Sequence, residues 1–212
     1  MTLKVIGAPK RTQEALSGVL PAIYRFLRQN PQVGVHHNAV RSPEIKLWLP
    51  VYVGRPLVVV KAIARQPSRR AMFTTKRVAW LCFIQTKGCV NAAIELQLDK
   101  SGIRHQFQQG EFIQQVFWRM KSAARNERLQ RAQWAPRLLN IPALYFSALW
   151  FKSGSRELFV SLVKVGDEIR AGRFYSRSEI SSALEDEVLK RKEAHRFVLA
   201  RKRATNMSGA IV

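Results

Sequence analysis

RVAWLCFIQTKGCVNAAIELQL, residues 77–98, is the stretch that decides the fold. Arg77–Gln85 and Cys89–Leu98 are apolar runs of strand length, and Lys87-Gly88 stands between them as a turn. Strands joined this tightly pair antiparallel, because a parallel pair needs a long crossover. In the expected register Thr86 faces Cys89 and Cys82 faces Ala93. Both thiols then share a face but lie too far apart along it to bridge. Two reduced, buried thiols suit the cytoplasm or another reducing compartment. The first 30 residues, basic and acid-poor, are also compatible with an organellar presequence.

Upstream of the hairpin, Ile45, Leu47 and Leu49 alternate with Glu44, Lys46 and Trp48, which is strand periodicity, and Val51 and Val53 extend it beyond Pro50. Gly54-Arg55-Pro56 reads as a turn and Leu57–Ala64 as a buried strand. Downstream, Lys100-Ser101-Gly102 turns the chain into a short strand at Ile103–Phe107. Thr12–Asn30 has helical spacing in Leu16, Val19, Leu20, Ile23, Phe26 and Leu27, with Pro21 expected to kink or split it. Gly110 to about Arg131 is a second helix, with an apolar arc of Phe112, Ile113, Val116, Phe117, Met120, Ala123 and Ala124. Leu138–Ile141 and Ala143–Phe151 read as strand, the whole stretch 138–150 as a buried central one, and Glu157–Val163 as its return. Ser176-Arg-Ser-Glu179 matches a capping box opening a C-terminal helix.

The expected order is helix-ββββ-helix-ββ-helix. This is an α+β fold, a mostly antiparallel sheet of about six strands with helices packed on one face. Residues 1–175 form the expected domain, with 176–212 as a helix and basic tail packed on it. No apolar run reaches the roughly 18 residues that span a bilayer.

Charge points to function. The chain has 36 Lys+Arg against 14 Asp+Glu, a formal net charge of +22. Between Ala15 and Ile94 it carries twelve cations and one acid, Glu44. Such an excess opposes compaction and draws in polyanions, nucleic acid foremost. Hydrophobic residues make up 47%, so the charge belongs to a folded body rather than a disordered tail.

Three clusters could grip phosphate. Arg65, Arg69, Arg70, Lys76 and Arg77, interleaved with Ser68, Thr74 and Thr75, form a basic connector between expected strands. Lys121, Arg125 and Arg128 fall at i, i+4 and i+7 of the second helix, one stripe, with Trp118 beside it. That tryptophan either stacks on a base or packs under a neighbouring segment. Lys190, Arg191, Lys192, Arg196, Arg201, Lys202 and Arg203 crowd the C-terminus, where cations also suit the helix dipole.

Other chemistries find less support. No cofactor or metal site is expected: four His and two Cys lack ligand spacing. Glu44-Ile45-Lys46 resembles the Glu-x-Lys element of restriction-type nucleases, but no Asp precedes Asp99 to complete a metal site. Glu95 and Asp99 bracket a strand end and could share a face, but Lys100 and the hairpin context point to salt bridging with cations. Phosphate-loop, dinucleotide and nucleophile-elbow motifs are absent. The leading expectation is a non-enzymatic nucleic-acid-binding protein that contacts the phosphate backbone. The alternatives are a structural subunit of a large ribonucleoprotein or protein assembly, and a metal-independent ribonuclease using His36 or His37. An anionic membrane fits less well, because no helix joins a basic face to an exposed bulky apolar one.

Overall fold

The computed structural model describes residues 7–29, 44–56, 73–86, 89–99, 102–130 and 132–191. Helix α1 (Lys10–Gln29) precedes four strands, β1 (Glu44–Pro56), β2 (Phe73–Thr86), β3 (Cys89–Asp99) and β4 (Gly102–Gln109). Helix α2 (Glu111–Ala123) and the single turn α3 (Glu127–Gln130) follow. Then come β5 (Ala135–Ile141), a 3-10 turn (Pro142–Leu144), β6 (Phe146–Ser153), β7 (Arg156–Ser161), β8 (Phe174–Ser176) and a helix, α4, over 177–191. The fold is α+β, built on one mixed sheet of eight strands in the order β4-β3-β2-β1-β5-β6-β7-β8.

All neighbours pair antiparallel except β1 and β5, which run parallel at the centre. The sheet is thus two four-strand meanders spreading outward from a shared parallel seam, each followed by a helix. A two-fold rotation about the strand direction would relate two such halves.

Helices cover both faces rather than one. Alternate residues of β2 explain why. Ala79, Leu81 and Phe83 face α2, meeting Ile113, Val116, Phe117 and Met120. Cys82 and Ile84 face the other way, onto Leu16 and Ile23 of α1. On that second face α4 sets Ile180, Ala183 and Leu184 against Leu139, Ile141, Ala148 and Phe159. A strand buried on both sides reads as a continuous apolar run, and residues 78–84 are such a run.

Several elements differ from the sequence expectation. Helix α1 passes through Pro21 unbroken; Pro21 and Ser17, whose carbonyl loses its helical partner, both lie on the exposed side. Gly54-Arg55-Pro56 is the end of β1, paired with Thr75, Thr74 and Phe73, and not a turn. The glycine is required there, since a Cβ on Gly54 would stand 2.8 Å from Cγ1 of Ile141. The expected strand Leu57–Ala64 lies outside the described residues. The hairpin β2–β3 pairs Thr86 with Cys89, but a bulge between Ile84 and Gln85 puts Cys82 opposite Ile94 instead of Ala93. Burial pushes the Cys82 thiol up to about 12, and burial, with the nearby Cys82, also raises Tyr24.

The stretch 138–150 is a hairpin, not one strand: β5 and β6 pair from Ala135/Lys152 to Ile141/Phe146 around the 3-10 turn. That division, with the short β8, raises the strand count from six to eight. The expected helix from Gly110 to about Arg131 also divides. Arg125 and Asn126 donate their N–H groups to Ser122 and Ala123 carbonyls three residues back, tightening the last turn. The Asn126 carbonyl then accepts from Leu129 and opens α3, which drives Leu129 into the core under α2. The expected capping box is present. Ser176 N–H donates to Glu179 Oε2 at 2.6 Å, and Glu179 N–H donates to Ser176 Oγ at 3.2 Å.

Candidate nucleic-acid interface

The four central strands, β2-β1-β5-β6, carry the cations Lys46, Arg55, Lys76, Arg77, Arg137 and Lys152 against a single acid, Glu44, at the first residue of β1. No Asp or Glu occurs between Glu44 and Glu95, nor between Glu127 and Glu157. The chain thus brings its two acid-free segments side by side.

Several of these cations rest on rings, and of those Lys152 also has a carboxylate, Glu157 of β7. Arg137 has its guanidinium 5.0 Å from the Tyr52 ring and 4.6 Å from Trp150. Arg77 lies 5.2 Å from Trp80, and Lys152 5.9 Å from Trp150. Tyr52 meets Trp150 edge-on at 5.2 Å. Cross-strand pairing builds this group: Arg77 opposes Tyr52, Tyr52 opposes Leu139, and Arg137 opposes Trp150. Leu139 and Trp150 belong to the cluster that α4 covers, and Tyr52 packs against it. Among the described residues seven cations sit on rings, where about three would be usual for a chain this long.

A cation held by a ring keeps its hydrogen-bond donors for another partner. Among the described residues no carboxylate lies within ion-pair distance of Arg77, Lys121, Arg137, Arg156 or Arg173. Beside Arg137, whose buried Nε lacks a hydrogen-bond partner, the indole Nε1 of Trp150 is orphaned as well, with the residue only 5% exposed. Two adjacent buried donors without an acceptor are uncommon and unfavourable.

The three expected clusters fare differently. Arg65, Arg69 and Arg70 lie outside the described residues, but the chain leaves β1 at Pro56 and re-enters β2 at Phe73, which are register partners. Lys76 and Arg77 are exposed on β2 close to that point. Lys121, Arg125 and Arg128 do not share one helix stripe: α2 ends at Ala123, Arg125 is in the turn and Arg128 in α3. Trp118 is not packed under a neighbour. It is 54% exposed, edge-on to Phe117, with Lys121 Nζ 5.3 Å from its ring. Lys190 is exposed; Arg191 is half-buried and engaged, as described below. Arg196, Arg201, Lys202 and Arg203 lie outside the described residues, as do His36 and His37.

Glu95 accepts hydrogen bonds from the side-chain amides of Gln97 and Gln108, at 3.0 and 2.5 Å, and has no salt bridge among the described residues; Lys100 lies outside them. Among the described residues no three His, Cys, Asp or Glu side chains gather as a metal site, and no helix is long and apolar enough to cross a membrane.

Sequence reasoning missed Arg137, Tyr52, Trp80 and Trp150. The available signal was the absence of acids from 128–156, a second gap matching the one at 45–94. No protein-family model, curated protein or solved structure matches this chain.

Proposed function

We propose that this protein binds nucleic acid, without catalysing a reaction on it, and grips the phosphate backbone from the acid-poor centre of its sheet. The observation that carries this reading is the composition of the four adjacent central strands, six cations to one carboxylate, with Lys152 set aside because Glu157 of β7 holds it. Ring-held guanidinium groups offer fixed N–H edges for bidentate contact with phosphate, at less entropic expense than a freely moving side chain. The parallel seam adds a location. The continuation of β1 leads to β2 on one side, and that of β5 to β6 on the other. In open sheets ligands favour the crevice where outgoing connections diverge in this way. At that end stand Lys76, Arg77 and the anchor points of the segment bearing Arg65, Arg69 and Arg70.

The test is fluorescence polarisation with labelled single- and double-stranded RNA and DNA over a salt series. Binding at low salt, with log affinity falling linearly against log salt and little dependence on base sequence, supports the reading. No binding to any of the four at about 50 mM salt, where phosphate contacts are strongest, overturns it.

A further inference from the structure

Tyr145 is the one non-glycine residue with positive φ among the described residues, at φ 51° and ψ 34°. A bulky side chain in the left-handed region is a genuine outlier, and glycine would close this turn without strain. The ring is nevertheless 81% exposed, so no burial compensates for the strain. Its place is held from one side. Arg191 of α4 lies 5.3 Å from the ring centre and donates to the carbonyls of Ala143 at 3.3 Å and Leu144 at 3.2 Å. Its Nε is in turn fixed by Glu187 at 2.8 Å. The Tyr145 N–H closes the 3-10 turn on the Pro142 carbonyl at 3.0 Å. One ring face thus meets a guanidinium that is locked by three hydrogen bonds, and the residue otherwise projects into solvent.

The turn belongs to the diverging end of the seam. Ile141, just before it, packs over Gly54 near the end of β1, so the ring stands at the end where β1 hands on to the basic segment. Strain concentrates at functional sites, and an exposed aromatic beside cations is the pattern that binds unpaired bases.

We propose that Tyr145 is a stacking platform for an unpaired base of single-stranded nucleic acid, with Arg191 as the residue that positions it. This rests on the nucleic-acid reading above and narrows it: a base inside a duplex cannot reach the ring. The experiment compares Tyr145→Gly and Tyr145→Phe with the wild-type chain, using labelled single-stranded and duplex RNA. Loss of stacking should lower the affinity of Tyr145→Gly for the single strand about tenfold. Its duplex affinity and its salt slope should stay unchanged, and Tyr145→Phe should bind like wild type. Thermal melting should show Tyr145→Gly no less stable, because the strain is relieved, which separates lost stacking from lost folding. Unchanged single-strand affinity in Tyr145→Gly, while wild type binds, overturns this inference and leaves the backbone-binding reading standing. Absence of wild-type binding to any strand overturns both.

Discussion

The two ends of the central strands handle positive charge in opposite ways. At the end where β5 begins and β6 finishes, Glu157 is nearly buried, with 6% of its side chain exposed, and it holds both Lys152 and Arg177. Arg156 beside it lies over Trp134. At the other end, where β1 and β5 finish and β2 begins, Lys76 and Arg77 have no carboxylate partner among the described residues, and the chain between Pro56 and Phe73 adds Lys61, Arg65, Arg69 and Arg70 without one acid. One end is closed by its own ion pairs; the other stays electropositive. The lesson is that net charge locates a ligand surface only after internally neutralised cations are set aside, because exposed surplus charge alone attracts a polyanion.

Variants at the two ends should therefore separate binding from stability. The largest effect is expected from replacing Arg65, Arg69, Arg70 and Arg77 together with alanine. Loss of four phosphate contacts should weaken nucleic-acid binding about 100-fold at low salt and flatten the salt slope by about three, measured by polarisation. An unchanged slope would remove this end as the contact surface. Next, Glu157→Gln leaves Lys152 and Arg177 without their anion and should lower unfolding free energy by about 1–2 kcal/mol in urea titrations, with nucleic-acid affinity held or slightly raised. If that variant loses affinity instead, the supposedly closed end takes part in binding.

Two smaller effects calibrate the comparison away from either end. Cys82, midway along β2, is buried and its thiol is pushed up to about 12. The folded state keeps the proton that the unfolded chain releases above its ordinary value near 9. The thiol's contribution to stability is therefore complete below pH 9 and is lost as pH rises from there toward 12, by roughly 1 kcal/mol per pH unit. Alkaline unfolding curves of Cys82→Ala should lack that component. Ser176→Ala removes the reciprocal cap of α4 and should destabilise by about 1 kcal/mol or less in thermal melts, without altering binding.

Much of the fold was legible wherever local pattern and local pairing agree. The β2–β3 hairpin announces itself through two strand-like runs and a Lys-Gly turn, and the α4 cap through Ser176 and Glu179. The β5–β6 reversal was hidden because its turn contains no glycine and uses Tyr145 in a conformation that side chain rarely adopts. The break between α2 and α3 was hidden for a similar reason: no Gly or Pro marks it, and the core's demand for Leu129 decides it. Helices on both faces could have been inferred from the uninterrupted apolar run at 78–84, since alternation would have left one face polar.

The site was legible as charge but not as geometry. The acid-free segments and basic clusters stand in the sequence, whereas the pairing of Tyr52 with Leu139, which brings Arg137 to its ring, depends on a parallel seam between distant strands. A lone arginine in an apolar strand carries no local sign of that role. The tightened turn at Arg125 and Asn126 also separates Lys121 from Arg125, despite their helical spacing.

The most direct test of the central claim is lysine acetylation footprinting by mass spectrometry, with and without saturating RNA. The account predicts protection of Lys76, at the diverging end of the parallel seam, and of Lys61, in the sequence between β1 and β2, while Lys152 at the closed end reacts equally in both samples. Equal protection at the two ends, or protection of Lys152 alone, would contradict it.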